Sequence, residues 1–215
     1  MRRGQGSSGR RVVLVTVRRT RIPASMESFL TSTGLVALAE IGDKTQLLSL
    51  LLAARFRRPW PIIAGILVAT LANHAAASAL GAWLTTLIGP QVLRWGLGLS
   101  FLAMAAWMLV PDGIDPAEAD RSGGRLGVFG TTLLAFFLAE MGDKTQVATV
   151  ALAASFGDFL PVVLGTTAGM MLANMPVVLV GNGLAERLPR RAVHAVAAGV
   201  FAIVGLVVVF GDAIG

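Results

Sequence analysis

The feature that most constrains this chain is a cluster of ionisable residues that occurs twice inside apolar sequence. Residues 37–56 read ALAEIGDKTQLLSLLLAARF, and residues 137–156 read FLAEMGDKTQVATVALAASF. Twelve of the twenty positions are identical, including every residue of Glu-x-Gly-Asp-Lys-Thr-Gln except x. Three ionisable side chains within five positions are costly in hydrocarbon, so such a cluster marks function when it lies inside a membrane. Its return one hundred residues later points to an internal repeat.

Composition supports the membrane setting. The chain is 55% hydrophobic and 14% charged, with mean hydropathy +0.74, which is too apolar for an ordinary water-soluble domain. Absence of cysteine excludes disulfides, thiolate metal sites and cysteine nucleophiles. Two histidines, His74 and His194, are too few for a histidine-rich metal site. The formal charge of +6 belongs to one end: residues 1–25 carry seven arginines and no acid, while residues 26–215 carry a net −1. A folded basic surface for nucleic acid is therefore not expected.

Apolar stretches divide the chain into six expected spans, 29–54, 61–88, 92–110, 126–156, 159–181 and 192–210. A helix of such length, at about 1.5 Å rise per residue, crosses a hydrocarbon core of about 30 Å. The polar stretch 111–125 separates two halves, 26–110 and 126–215, behind a basic tail at 1–25. The tail has two readings: part of the protein, or a gene-start artefact ahead of Met26. Three spans per half is an odd number, so the second half enters from the opposite side. The expected fold is an all-α polytopic membrane protein, with six transmembrane helices as an inverted three-plus-three repeat. Arginine bias puts the loops after spans one, three and five in the cytoplasm.

If span one is a continuous helix, Glu40, Asp43, Lys44 and Leu47 share a face, and Gln46 borders it. Gly42 then either permits close helix approach or marks a local unwinding that frees carbonyls. The same holds for Glu140, Asp143, Lys144, Gln146 and Gly142. Pairing of the repeats would gather Glu40, Asp43, Glu140 and Asp143 with Lys44 and Lys144, for a local charge of −2. One divalent cation would neutralise that, with the lysines compensating charge when the ion is away. Oxygen ligands without sulfur suit Mg²⁺, Ca²⁺ or Mn²⁺. The competing reading is structural: Glu40–Lys44 and Glu140–Lys144 as simple i,i+4 ion pairs.

Asn73 and Asn174 are secondary candidate ligands, with interhelical hydrogen bonding as the alternative; Gln46 and Gln146 stand in the same secondary class. His74 has no apparent counterpart, since Met175 follows Asn174, and reads as an interhelical residue. His194 reads as interfacial. Met170, Met171 and Met175 read as packing.

The two Glu-x-Gly-Asp-Lys-Thr copies, Glu40 to Thr45 and Glu140 to Thr145, resemble the signature of the Gdt-one family of membrane cation exporters. The resemblance covers residues 26–215. It implies export of Mn²⁺ or Ca²⁺ from the cytosol in exchange for protons, with Glu40, Asp43, Glu140 and Asp143 on the ion. It implies no permanently bound cofactor, and a bacterial plasma (inner) membrane as the location. The expected partners are the lipid bilayer, divalent cations and protons. Rival readings are an intramembrane metal-dependent hydrolase, a passive cation channel and an exporter of small organic cations.

Overall fold

A computed structural model describes residues 23–110, 126–180 and 190–211. The basic tail, the polar linker at 111–125 and the break at 181–189 lie outside the described residues. Eight α-helices account for nearly all of the rest: α1 (Ala24–Glu40), α2 (Lys44–Phe56), α3 (Pro59–Leu87), α4 (Pro90–Trp107), α5 (Gly127–Glu140), α6 (Lys144–Phe156), α7 (Phe159–Val180) and α8 (Arg190–Phe210).

The first and fourth expected spans are not single helices. Each is divided at its motif, into α1 and α2 and into α5 and α6. Among the described residues, three helices are long and apolar enough to cross a membrane by themselves: α3, α7 and most of α8. Proline helps set the starts, since Pro59 and Pro90 stand in the first turns of α3 and α4, where a missing N–H costs nothing. The chain reverses after α2 and after α6 through a left-handed residue, Arg57 in one case and Gly157 in the other.

Helices from before and after the polar stretch 111–125 interleave. α1 packs along α7, and α5 packs along α3. Glycines make both contacts close: a Cβ on Gly165 would lie 2.5 Å from the Phe29 carbonyl oxygen, and one on Gly65 would lie 2.9 Å from that of Phe129. Gly65 and Gly165, and Phe29 and Phe129, are each one hundred positions apart. Small residues that let helix backbones touch are what association in lipid requires, where no hydrophobic drive exists between helices. α4 and α8 lie against each other, with Phe101 facing Phe201 at 6.2 Å between ring centroids.

Two apolar clusters fill the interior. One gathers Leu35, Phe101, Met104, Met108, Leu152 and Phe201, the other Leu48, Leu52, Ile62, Ile66 and Phe136. The outside is apolar as well: Trp60, Trp83, Leu87, Leu172, Val180, Ile203 and Val207 are exposed. So broad an exposed apolar surface matches a lipid solvent rather than water.

Candidate functional site

Each motif breaks its helix in the same way. α1 ends at Glu40, Ile41 is extended, Gly42 has φ 87°, and Asp43 is extended ahead of α2. α5 ends at Glu140, Met141 is extended, Gly142 has φ 78°, and Asp143 is extended ahead of α6. A positive φ costs glycine almost nothing and other residues more, so the glycine at the centre of the motif permits the break.

The break overturns the continuous-helix expectation. Glu40, Asp43, Lys44 and Leu47 are not one helical face, because the chain unwinds between Glu40 and Lys44. Side chains of the motif hold the new path instead. The Gly42 N–H donates to Gln46 Oε1 at 3.0 Å, and the Gly142 N–H donates to Gln146 Oε1 at 2.6 Å. The Thr45 hydroxyl donates to Glu40 Oε2 at 2.5 Å, and the Thr145 hydroxyl to Glu140 Oε2 at 2.8 Å. Thus threonine and glutamine reach back across the break, and each motif folds upon itself.

The ion pairs run between the two motifs rather than within a helix. Lys44 Nζ lies 3.5 Å from Asp143 Oδ1, and Lys144 Nζ lies 3.8 Å from Asp43 Oδ1. The simple i,i+4 reading of Glu40–Lys44 and Glu140–Lys144 therefore does not describe the salt bridges. Glu40, Asp43, Glu140, Asp143 and Lys144 are all buried, while Lys44 is partly exposed. Carboxylate oxygens of Glu40, Asp43 and Asp143 lie within 4.8 Å of one another. Glu140 is outside that triple but within electrostatic reach of Glu40. Glu40 Oε1, Glu140 Oε1 and Asp143 Oδ2 have no hydrogen-bond partner among the described residues.

Helix ends add to the electrostatics. Glu40 and Glu140 sit at helix C-termini, where free carbonyls and the dipole oppose a carboxylate and favour a cation. Asp43 and Asp143 sit at helix N-termini, where the dipole supports their negative charge. A site of buried carboxylates with unshared oxygens, in a low-dielectric setting, is chemically able to bind a hard cation.

The secondary candidates serve as ties between helices. Asn73 donates from Nδ2 to the Phe137 carbonyl of α5 at 3.1 Å. Asn174 accepts from the Ser49 hydroxyl of α2 at 2.7 Å, and its Nδ2 donates to the Met170 carbonyl. Gln46 donates from Nε2 to the Ala173 carbonyl of α7 at 3.1 Å, with its oxygen already on Gly42. The reciprocal glycine contacts hold a constant offset of one hundred, so the position matching His74 is Asn174, not Met175. His194 has a partner that its sequence position did not suggest: its Nε2 lies 3.1 Å from the Ile41 carbonyl oxygen at the first break. Ser49 and His194 carried no spacing signal in the sequence, since their partners lie 125 and 153 residues away.

Comparison with known proteins gives the family. The family model described as "Divalent cation/proton antiporter GDT1" matches residues 28–115 and 128–214. A protein of Vibrio cholerae named "Putative manganese exporter" is 52% identical over 176 residues, 81% of this chain and 86% of that protein. GDT1-like protein sll0615 of Synechocystis is 27% identical over 175 residues, 71% of this chain and 84% of its own. GDT1-like protein 3 of Arabidopsis thaliana is 26% identical over 200 residues, 81% of this chain and 67% of its own. No solved structure matches the chain. The two matched segments each contain one motif and its break, and the family's activity is transport rather than enzymatic turnover, so the hydrolase reading is set aside: the chain belongs to the GDT1 family of divalent cation/proton antiporters.

Proposed function

We propose that this protein exports Mn²⁺ from the cytosol across a bacterial plasma membrane in exchange for protons. Glu40, Asp43, Glu140 and Asp143 bind the ion, and Lys44 and Lys144 neutralise Asp143 and Asp43 when the ion is away. The observation that carries the reading is the crossed pair of salt bridges, Lys44–Asp143 and Lys144–Asp43, beside buried carboxylates with unshared oxygens. An arriving divalent cation competes with the ammonium groups for the same aspartates. Its departure leaves a crowded set of carboxylates, which protons then relieve.

The architecture of this reading is a six-span inverted repeat, with 26–110 and 126–215 as its halves and the divided spans meeting at the site. The matched breaks, the reciprocal contacts of Gly65 and Gly165, and the facing pair Phe101–Phe201 support it. Broken helices that point their ends at an ion are a common transporter device. Rocking of one half against the other exposes the site on alternate sides. Manganese is favoured over calcium because a relative with 52% identity carries manganese export in its name.

The test is ion flux in proteoliposomes, with Mn²⁺, Ca²⁺ and Mg²⁺ run in parallel and a pH dye inside. The expected result is Mn²⁺ movement with opposite proton movement. Flux of Mn²⁺ unchanged by collapse of the proton gradient would indicate a channel and overturn exchange. Calcium flux without manganese flux would overturn the choice of ion.

A further inference from the structure

One line of buried polar side chains is not used by the carboxylate cluster. Thr70, His74 and Ser78 are spaced four residues apart on α3 and stack on one face of it. All three are fully buried. Thr70 Oγ1, both ring nitrogens of His74 and Ser78 Oγ have no hydrogen-bond partner among the described residues. A helical hydroxyl can turn to a carbonyl of its own preceding turn, as those of Thr33, Thr132 and Thr166 do. An imidazole has no such recourse. Buried polar atoms are normally met by protein or by ordered water, so His74 calls for water.

The middle of the line lies at the height of the site. His74 is adjacent to Asn73, which bonds the Phe137 carbonyl three residues before Glu140. From there α3 runs along α6 to a tight crossing at Gly81, where a Cβ would lie 3.0 Å from Ala153 Cβ. The other half has no such line. The matching positions are Met170, Asn174 and Val178, and Asn174 is held by Ser49 and by Met170. Thr149 occupies the position of Ser49, but its hydroxyl donates to the Thr145 carbonyl.

We propose that His74 and Ser78 line a hydrated passage between α3 and α6, with Thr70 at its inner end beside α5, through which water reaches the carboxylates and the cation leaves them toward the face where α3 ends at Leu87. The Gly81 crossing is where the passage closes in this conformation. This rests on the transport reading above. The asymmetry of the line gives the two halves different work: one carries the aqueous route, the other its fixed, hydrogen-bonded counterpart.

The natural chain has no cysteine, so single cysteines report accessibility directly. Thr70→Cys and Ser78→Cys, with Met170→Cys and Val178→Cys as controls, are reconstituted in proteoliposomes. Each is treated with a charged, membrane-impermeant methanethiosulfonate during Mn²⁺ transport. The expected result is at least tenfold faster reaction at positions 70 and 78 than at 170 and 178. Equal, slow reaction at all four positions would overturn the passage. Should Ser78→Cys fail to accumulate, the comparison of 70 with 170 decides. Wild-type flux in the same vesicles separates the two readings: transport without a labelling contrast removes the passage alone, and a contrast without transport removes the transport reading.

Discussion

The Lys144 ammonium lies 3.8 Å from Asp43 Oδ1, joining the second motif to the first, and Lys44 answers with Asp143 at 3.5 Å. Each motif supplies the countercharge of the other. The motif is thus one half of a single electrostatic unit.

Lys144 tests that unit most directly, because its side chain is only 2% exposed. Removing one member of a buried pair leaves a charge without its partner, at a cost of about 3–5 kcal/mol. Lys144→Met is expected to lower stability in detergent by that order. Lys144→Met with Asp43→Asn is expected to recover much of the loss. Thermal unfolding of the singles and the double checks this, and strict additivity would show that the two residues are not coupled.

Loss of a carboxylate is expected to abolish flux without unfolding the protein. Glu40→Gln and Asp143→Asn are predicted to reduce Mn²⁺ transport at least tenfold at equal expression. Mn²⁺ at 100 times its dissociation constant should stabilise the wild type by about 2.7 kcal/mol. The shift should vanish in Asp143→Asn. Undiminished flux and an unchanged shift in both variants would remove these residues from the site.

Gly142 isolates the role of the break. Its φ is 78°, and a Cβ there would meet nothing within 4 Å, so Gly142→Ala carries a purely conformational cost of about 1–2 kcal/mol. Transport is expected to fall further than stability, because relief of the strain by helical continuation would turn Asp143 away from Lys44. Flux assays beside thermal melts check the ratio, and normal transport in Gly142→Ala would show that the left-handed residue is dispensable.

Arg57 offers a gain. It holds a left-handed conformation at φ 52°, in the place where the second half has Gly157. Its N–H bonds the Ala53 carbonyl at 2.9 Å, a helix-ending contact that glycine makes at lower cost. Arg57→Gly is predicted to raise stability by about 1 kcal/mol. A melt showing destabilisation would mean that the arginine side chain contributes more than its backbone costs.

Much of the protein was legible along the chain. The recurrence of Glu40–Gln46 at Glu140–Gln146, within apolar sequence, was enough to expect helices, a membrane and paired chemistry. The glycine inside the motif allowed two outcomes, close approach or unwinding, and spacing alone did not choose between them. Unwinding follows once Gln46 caps Gly42 and Thr45 turns to Glu40, short-range bonds that a continuous helix could not make. His74 was misaligned because Ala72-Asn73 and Ala173-Asn174 match as letters, whereas the helices pack with Gly65 and Gly165 in register.

The sequence by itself determined what depends on neighbours in the chain: apolar helices, a glycine in each motif where the backbone can leave the helix, and charges too costly to bury alone. Tertiary structure decided what depends on distance across it. It chose Asp143 over Glu40 as the partner of Lys44, brought His194 to the Ile41 carbonyl, and left His74 in one half where Asn174 is bonded in the other. The physical reason is that an ion pair or hydrogen bond is set by a few ångströms in space. Residues a hundred or more positions apart acquire those few ångströms only when the helices pack.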